Sequence, residues 1–337
     1  MKPAFALKQI AAQAGVSLAT VDRVINQRPG VRLQTTQRVQ QALQELEQQA
    51  GLLGFRGRSF YIDVIIQAPE RFTSAVQQAI HRALPLLQPL RIRPRFHLHE
   101  DLDVQPLVSM IQGCARRGSQ GLILKGPDEP AVNQAVQQLT EADIPVVTLV
   151  SDLPHSGRCA YIGMDDRAAG RTAAHLMQQW LQDQHSTIAV NVSNQRFRGE
   201  EEREMGFRQL LREQAPNMRI ADIVGGLGIH GTTYARTRQC LQQDASISAV
   251  YSAGGANRAI IDAFAAEQRD IRLFIGHDLD RDNRALLLER RIDAIIDHDL
   301  AQDAHRAFVY LLQQHGVVPV GSRETHSRIN IVTAYNL

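Results

Sequence analysis

The sequence has few of the features that mark exported, membrane-spanning or metal-binding proteins. Its three cysteines, Cys114, Cys159 and Cys240, are far apart and form neither a CxxC pair nor a clear Cys/His ligand spacing. We interpret them as reduced packing residues, and we expect no metal and no cofactor. No apolar run is long enough to cross a membrane, and the first eight residues, MKPAFALK, lack the apolar core of a secretion signal. The sequence therefore predicts a cytoplasmic protein.

The charge is distributed unevenly along the chain. The formal net charge of all 337 residues is +2, but residues 1–58 hold eight Lys or Arg against three Asp or Glu. Residues 59–337 therefore carry a net charge of −3. A chain of this length, with 44% hydrophobic residues, accommodates a small module and one or two full-sized domains. The basic charge is therefore concentrated in the amino-terminal module.

Residues 7–25 are predicted to form two short helices joined by a tight turn. In the turn, Gly15 supplies backbone freedom, Val16 fills the space between the helices, and Ser17 is a favourable N-cap for the second helix. Apolar side chains recur at helical spacing in both helices, at Ile10, Ala11, Ala14, Val21, Val24 and Ile25. The pattern predicts a helix-turn-helix.

The outer face of the second helix is the predicted DNA-reading surface, because its side chains can bond to phosphates, reach base edges or contact a thymine methyl group. A third helix follows, with Thr35 or Thr36 as its N-cap and its first amides available to a phosphate. The predicted DNA-binding residues are Ser17, Leu18, Ala19, Thr20, Asp22, Arg23, Asn26 and Thr35. The alternative is a helical hairpin that touches no nucleic acid, and the local basic charge favours DNA binding.

The stretch IAAQAGVSLATVDRVIN, residues 10–26, followed by a loop and a helix from Thr35 to Leu46, resembles the headpiece of the LacI/GalR-type bacterial repressors. The resemblance implies that Ser17, Thr20 and Asn26 face phosphates. It also implies that Leu18 and Ala19 discriminate between operators and that Arg23 reads a base. Asp22 departs from the family, which usually has Ser there. A carboxylate repels phosphates but can accept from a cytosine amine, so we expect altered specificity or lower affinity.

Residues 49–59 are the predicted linker between the helix-turn-helix domain, residues 1–48, and the rest of the chain. Glycines at positions 51, 54 and 57 are expected to interrupt any regular element there. In the family that the headpiece resembles, this region carries a hinge helix that pushes a leucine into the minor groove. The usual Asn/Ala/Arg/Leu pattern is missing. Leu52 or Leu53 would be the wedge and Arg56 and Arg58 would contact phosphate, with a flexible tether as the alternative.

From residue 60 the chain alternates short apolar runs with longer amphipathic stretches, which is typical of βα units around a parallel sheet. Strands are predicted at 61–66, 91–97, 121–124, 146–149, 160–162, 187–192, 220–224, 249–251, 273–276, 294–296 and 329–333. Helices are predicted near 73–87, 104–117, 130–142, 166–182, 199–214, 231–243, 256–267, 282–290 and 300–315. Two similar halves predict two α/β subdomains that face each other across a cleft.

Ligands of open α/β sheets collect outside the carboxyl ends of the strands. There the sequence places carboxylates, amides and an arginine, which suit a polyhydroxylated molecule, and an aromatic ring that could cover a sugar's apolar face. The predicted effector-binding residues are Gln67, Phe72, Lys125, Asp165, Arg203, Asn257, Asp278 and His298. The alternative for a charged residue after a strand is a helix cap or a solvated loop, and for Asp166, which follows the same strand as Asp165, a cap is the alternative to a ligand contact.

Three further segments extend the resemblance to sugar-binding proteins of the periplasmic type: MDDRAAG at 164–170, REMGF at 203–207 and IGHD at 275–278. By position, Asp165, Arg203 and Asp278 fall on family effector contacts, and His298 falls where Gln is common. Gly254-Gly255 replaces the usual Asn-Asp, so that contact is lost or moves to Asn257. The implied fold class is a small all-α helix-turn-helix domain followed by an α/β two-lobed periplasmic-binding-protein-like (type I) domain over residues 60–337.

Together these resemblances imply a transcriptional repressor that binds a palindromic operator in double-stranded DNA as a homodimer. A small sugar or polyol between the lobes would control its operator affinity. One alternative is a solute-binding receptor of the sugar-binding type without a DNA role, but no secretion signal supports it. Another is a hydrolase, for which the sequence offers no nucleophile elbow, phosphate loop or metal-ligand motif. We therefore expect neither enzyme activity nor a membrane partner.

Overall fold

A computed structural model describes residues 5–54, 59–181, 186–321 and 326–337, with the side chains of the first range described as far as residue 46. The chain divides into two compact units, a helical one at the amino end and a larger α/β one. Within the described ranges, no helix is long and apolar enough to cross a membrane.

The amino-terminal unit contains three helices, α1 (Leu7–Ala14), α2 (Leu18–Ile25) and α3 (Leu33–Gly54). A small apolar core joins them, and its buried members are Ile10, Ala11, Ala14, Val21, Val39 and Ala42. Val16 packs against this core from the turn, as the sequence predicts. The helix-turn-helix is therefore confirmed.

The turn between α1 and α2 has the predicted chemistry. Gly15 adopts a left-handed conformation with a φ of 60°, which terminates α1. The side chain of Ser17 accepts a hydrogen bond from the amide of Thr20 at 3.2 Å and so caps α2. Arg38 of α3 donates to the carbonyl oxygen of Ala14 at 2.9 Å, which ties the third helix to the end of the first.

Both ends of α3 differ from the prediction. The helix begins at Leu33, so Thr35 and Thr36 lie in its first turn and neither is its N-cap. It also continues past position 51 to Gly54, because one glycine costs a helix only about 1 kcal/mol. The backbone predicted as an irregular linker is thus helical as far as residue 54. Arg56, Arg58 and the side chains of Leu52 and Leu53, which carry the minor-groove predictions, lie outside the described residues.

The first lobe of the α/β unit is built on a six-stranded sheet with the order β11-β5-β4-β3-β1-β2. Its strands are β1 (Ser59–Gln67), β2 (Arg91–His99), β3 (Leu122–Lys125), β4 (Val146–Leu149), β5 (Ala160–Met164) and β11 (His326–Ser327). Its helices are α4 (Glu70–Ala83), α5 (Val104–Arg116), α6 (Pro130–Glu141) and α12 (Leu300–Gln314). Ile65 of β1 packs with α5 and α6, whereas Ile62 and Leu311 of α12 both lie against Gly121. Helices therefore cover both faces of this sheet.

The second lobe repeats this architecture with a sheet of order β12-β10-β9-β8-β6-β7. Its strands are β6 (Thr187–Val192), β7 (Arg219–Val224), β8 (Ile247–Ser252), β9 (Leu273–His277), β10 (Ala294–Asp297) and β12 (Asn330–Val332). Its helices are α7 (Asp166–Leu181), α8 (Arg198–Gln214), α9 (His230–Gln243), α10 (Asn257–Ala266) and α11 (Arg281–Leu288). Along β6, Ile188 and Val190 pack with α7 and α8, and Ala189 packs with α10 and α11 on the other face.

The end of the chain contributes to both sheets. After α12 has returned to the first lobe, β11 pairs in parallel with β5, and β12 then pairs antiparallel with β10 of the second lobe. The final extended run predicted at 329–333 is confirmed as β12. The two-residue strand β11 was not predicted, because two residues carry no measurable alternation.

Candidate functional site

A cavity of about 70 Å³ lies between the two lobes, at the carboxyl ends of their parallel strands. This volume has room for about five water molecules. Five of the predicted effector-binding residues line it, namely Gln67, Phe72, Lys125, Arg203 and Asp278. Asp165, Asn257 and His298 do not line it. The rule that ligands collect at the ends of parallel strands thus located the cavity but not its full lining.

Arg203 is the centre of a buried charge network at the second-lobe wall of the cavity. Its guanidinium is 4% exposed, and its Nε donates to Oδ1 of Asp166 at 2.7 Å. Its Nη1 donates to the carbonyl oxygen of Ala253 at 3.2 Å and lies 3.6 Å from Oδ2 of Asp278. Burial alone would lower the pKa of Arg203, but Asp166 and Asp278 outweigh it and raise this pKa. The arginine is therefore a permanent cation, already paired within the protein.

The two neighbouring aspartates after β5 have different roles. Asp165 is exposed, and its Oδ1 accepts from the amide of Ala168, so it caps the start of α7. Asp166, for which the sequence offers both a ligand contact and a cap, is buried against Arg203 and also accepts from the hydroxyl of Tyr161 at 3.2 Å. Neither aspartate is part of the cavity lining, and Asp166 acts on it only through its contact with Arg203, because the first turn of a helix sends adjacent side chains in different directions.

Lys125 brings an ammonium group into the cavity from the end of β3. Its Nζ lies 4.1 Å from the ring centre of Phe197 and 5.7 Å from that of Phe72, and it donates to the carbonyl oxygen of Gln67 at 3.2 Å. Burial lowers the pKa of Lys125 to about 8, although Glu200 opposes the shift. The rings of Phe72 and Phe197 therefore form cation–π contacts with the ammonium group of Lys125.

Glu200 lines the cavity but was not predicted. Its Oε1 accepts from the hydroxyl of Ser193 at 2.6 Å, and its Oε2 accepts from the amides of Ser193 and Asn194 at 2.7 and 3.3 Å. Burial raises the pKa of Glu200, and the hydrogen bonds from Ser193 oppose this. A sequence signal existed, because Glu200 precedes Arg203 by three residues on α8 and so shares its helical face.

Asp278 has an unusual backbone, with a φ of 65° directly after β9. Asn283 supports this conformation by donating to the carbonyl oxygens of His277 and Asp278 at 3.0 and 2.7 Å. Asn257, predicted to contact the effector, instead donates to Oδ1 of Asn283 at 2.8 Å and is buried. Its structural place is therefore behind Asp278, not in the cavity lining.

His298 is also placed away from the cavity lining. It is buried, and its Nδ1 lies 2.5 Å from Oδ2 of Asp303 on α12. Burial alone would lower the pKa of His298, but the hydrogen bond with Asp303 outweighs it and raises this pKa. The flanking carboxylates point elsewhere, since Asp297 accepts from the amide of Leu279 and Asp299 caps the start of α12. Among the described residues no group of three metal-ligating side chains occurs.

Three buried polar atoms of residues on the cavity lining have no hydrogen-bond partner among the described residues. They are the acceptors Oε1 of Gln67 and Oδ1 of Asp278, and the ring nitrogen Nδ1 of His277. The other end of the Gln67 amide is fixed, because its Nε2 donates to the carbonyl oxygen of Leu102 at 3.2 Å. Buried acceptors are normally paired, so the cavity lining favours a ligand that supplies donors.

The exposed face of α2 forms the candidate DNA interface of the helical unit. Leu18 is 51% exposed, and Ser17, Ala19 and Arg23 are exposed beside it. Asp22 is engaged on this surface, because its Oδ1 accepts from Asn26 at 2.7 Å and its Oδ2 lies 3.1 Å from Nη1 of Arg28. The unusual carboxylate is thus partly neutralised within the helical unit itself.

An exposed recognition helix and a two-lobed α/β domain with a polar cavity define a DNA-binding regulator with a ligand-binding domain. The model of the bacterial regulatory proteins, lacI family, matches residues 6–49, and the model of the periplasmic binding protein domain matches residues 96–316. The chain therefore belongs to the periplasmic binding protein domain family over most of its length, and it carries a DNA-binding domain of the lacI family at its amino end. A curated relative is the HTH-type transcriptional regulator MalR of Clostridium butyricum, which is 25% identical over 296 residues, 81% of this chain and 82% of the relative.

Solved structures share the fold of the α/β domain. GanP, a glucose-galactose binding protein from Geobacillus stearothermophilus, has 17% identity and a TM-score of 0.73 over 83% of this chain and 99% of its own. A candidate LacI transcriptional regulator from Bacteroides fragilis has 16% identity and a TM-score of 0.72 over 83% of this chain and 98% of its own. The protein is a DNA-binding transcriptional regulator, and its headpiece decides against a receptor without a DNA role.

Proposed function

We propose that this regulator binds its operator as a homodimer and that a small, uncharged polyhydroxylated effector between the lobes changes its operator affinity. The observation that carries the effector class is the pair of buried acceptors, Oε1 of Gln67 and Oδ1 of Asp278, at one cavity. Hydroxyl groups of a sugar or polyol can donate to both. The structural relatives include proteins described as binding glucose and galactose, D-arabinose and D-fucose, which agrees with this class.

The charges around the cavity favour a neutral effector over a charged one. Arg203 is paired with Asp166, and the carboxylate of Glu200 is occupied by the hydroxyl of Ser193 and two backbone amides. A charged effector that took Arg203 or Glu200 from its present partners would leave a buried group unpaired at a cost of several kcal/mol. A polyol instead accepts from the ammonium of Lys125 and donates to the free acceptors.

The homodimer follows from the size of the headpiece. A single helix-turn-helix reads only a few base pairs, and two-fold pairing supplies a second half-site. A protein that acts on chromosomal operators would work in the cytoplasm, and its cavity would bind its ligand without chemical conversion. Sedimentation of the purified protein tests the dimer directly.

A thermal-shift screen of the full chain tests the effector class. The probes are D-glucose, D-galactose, D-arabinose, D-fucose and a cyclitol, each from micromolar to millimolar concentration. At least one should raise the unfolding temperature by mass action and should change the affinity for an operator selected from random DNA with the wild-type protein. The matched variant is Asp278→Asn, in which the apparent affinity for the stabilising sugar, obtained from the thermal shifts, should be at least about tenfold lower. A screen in which only sugar acids or phosphates stabilise the protein would overturn the uncharged class.

A further inference from the structure

Arg71 joins the two lobes beside the cavity. It belongs to α4 of the first lobe, and its Nε lies 3.0 Å from Oδ2 of Asp280 in the second lobe. Its Nη1 donates to the carbonyl oxygen of Gly228, also in the second lobe, at 2.9 Å. The side chains of Arg71 and Asp280 are 17% and 4% exposed, so this pair is largely withdrawn from solvent.

Gly255 of the second lobe provides the space for this guanidinium, because a Cβ there would stand 2.6 Å from Nη2 of Arg71. A Cβ on Gly228, the residue whose carbonyl oxygen accepts from Arg71, would stand at an ordinary contact distance of 3.6 Å from the same atom. Both glycines have positive φ values, of 77° and 66°, which side chains rarely adopt.

We propose that Arg71 is a tethered ligand of the second lobe: its guanidinium binds Asp280 and Gly228, holds the lobes together and confines any effector to the rest of the cavity. In this role Arg71 is a positioning and specificity-determining residue. The inference extends the proposed function, and only its consequence for the effector depends on that function.

Among the arginine–carboxylate pairs that join the lobes in the described part of the chain, Arg71–Asp280 is the most buried. Arg281 and Glu70 also connect the lobes at 3.3 Å, but their side chains are 72% and 57% exposed. Arg196 and Glu129 connect them at 3.0 Å and are 36% and 34% exposed. Exposed pairs contribute little, whereas the loss of one partner from a buried pair is strongly destabilising. These contacts belong to the protein, so they stabilise the closed arrangement whether or not an effector is bound.

For the effector, the consequence is a site from which the carboxylate of Asp280 and the space filled by Arg71 are removed. Asp280 is occupied by Arg71, and its Oδ1 also caps α11 by accepting from the amide of Asn283 at 2.8 Å. The polar groups of Gln67, Lys125 and Asp278 remain on the lining of the same cavity. The apparent affinity of an effector rises with the population of the conformation that binds it. Contacts of Arg71 that hold the lobes together should therefore raise the apparent affinity for an effector in this cavity.

Amide hydrogen exchange on the full chain, without sugar and without DNA, tests the tethered ligand on its own. In Arg71→Ala, peptides that contain residues 226–229 and 253–256 should exchange about tenfold faster than in the wild type. Asp280→Asn should give the same result, because its amide oxygen can still cap α11 while the charge is lost. The matched control is Arg281→Ala, which removes an exposed interlobe pair and should leave exchange unchanged.

The alternatives are separated by two further measurements. If Arg71→Ala unfolds, Arg71→Lys replaces it and should give intermediate exchange, since an ammonium cannot bond both acceptors with the same geometry. Unchanged exchange in both Asp280→Asn and the folded Arg71 variant would overturn the proposal. If exchange rises as expected but no sugar alters operator affinity in any variant, the tethered ligand stands and the proposed effector control fails.

Discussion

Gly170 of α7 lies directly against the backbone of Arg203 in α8, and a Cβ on Gly170 would stand 1.9 Å from the carbonyl oxygen of Arg203. Only a glycine allows the two helices to approach this closely. The approach brings Asp166, at the start of α7, to within 2.7 Å of the Arg203 guanidinium. A residue without a side chain therefore sets the position of the buried charge pair at the cavity.

Gly170→Ala should lower the free energy of unfolding by more than about 3 kcal/mol, because the atom it meets is backbone and cannot move aside. Urea denaturation followed by circular dichroism measures the loss. The control is Gly231→Ala in the first turn of α9, where a Cβ meets nothing within 4 Å. That variant should be neutral or more stable by up to about 1 kcal/mol, and equal losses in the two variants would contradict the close-packing argument.

Lys125→Met should make the protein more stable at pH 7 and change its pH dependence. The pKa of Lys125 is 10.5 as the ordinary value and about 8 in the folded protein. Between these values the unfolded chain binds a proton that the folded chain has released, so the free energy of unfolding rises with pH across this window. The variant should lose that rise and gain up to about 3 kcal/mol at pH 7.

Denaturation of both proteins at pH 7, 8, 9 and 10 measures the difference. Lys8→Met, at an exposed position of α1, is the control and should keep the wild-type profile. A Lys125→Met protein that is less stable than wild type at pH 7, with an unchanged slope, would show that the cation–π contacts outweigh the burial cost.

Arg23→Ala should weaken binding to the selected operator by about 1–3 kcal/mol per half-site while leaving the affinity for random DNA nearly unchanged. The reason is that an exposed arginine on the recognition helix reads a base edge, and its loss removes specificity more than charge. Fluorescence anisotropy with both DNAs at several salt concentrations separates these effects. A uniform loss on both DNAs, with a shallower salt dependence, would make Arg23 a phosphate contact instead.

Asp22→Asn should tighten binding to operator and random DNA alike, by about threefold to tenfold per half-site at low salt. Removal of the carboxylate relieves its repulsion of phosphates and releases Arg28, which lies 3.1 Å away. The gain should shrink as salt rises. A loss confined to operators with a particular cytosine would instead assign Asp22 a base contact.

The helix-turn-helix could be predicted from the sequence because its determinants are local. Ser17 caps α2 within three residues, and Gly15 ends α1 by its own φ. The alternation of β6 likewise predicts that Ile188 and Ala189 lie on opposite faces of the sheet, without knowledge of the other strands. Ile188 packs with α7 and α8, and Ala189 packs with the helices on the other face. The end of α3 could not be predicted in this way, because a glycine lowers helix propensity without deciding the outcome.

The site was harder to predict because it depends on direction and on contacts distant in sequence. Asp165 and Asp166 differ by one position, and only the orientation of α7 decides which of them meets Arg203. Asn257 follows a strand as predicted, but Asn283, 26 residues later, binds its amide. The role of Gly255 depends on Arg71 from the other lobe, a pairing that spacing along the chain cannot reveal.

The final twelve residues give an edge strand to each sheet, β11 to the first lobe and β12 to the second. Neither lobe can therefore be produced from one uninterrupted gene fragment. A reporter protein fused after residue 337 would lie next to β12, an edge strand of the second lobe. Shortening the chain to residue 325 would remove an edge strand from both lobes at once. Engineered sensors based on this chain would be better inserted in a surface loop of one lobe than appended at its end.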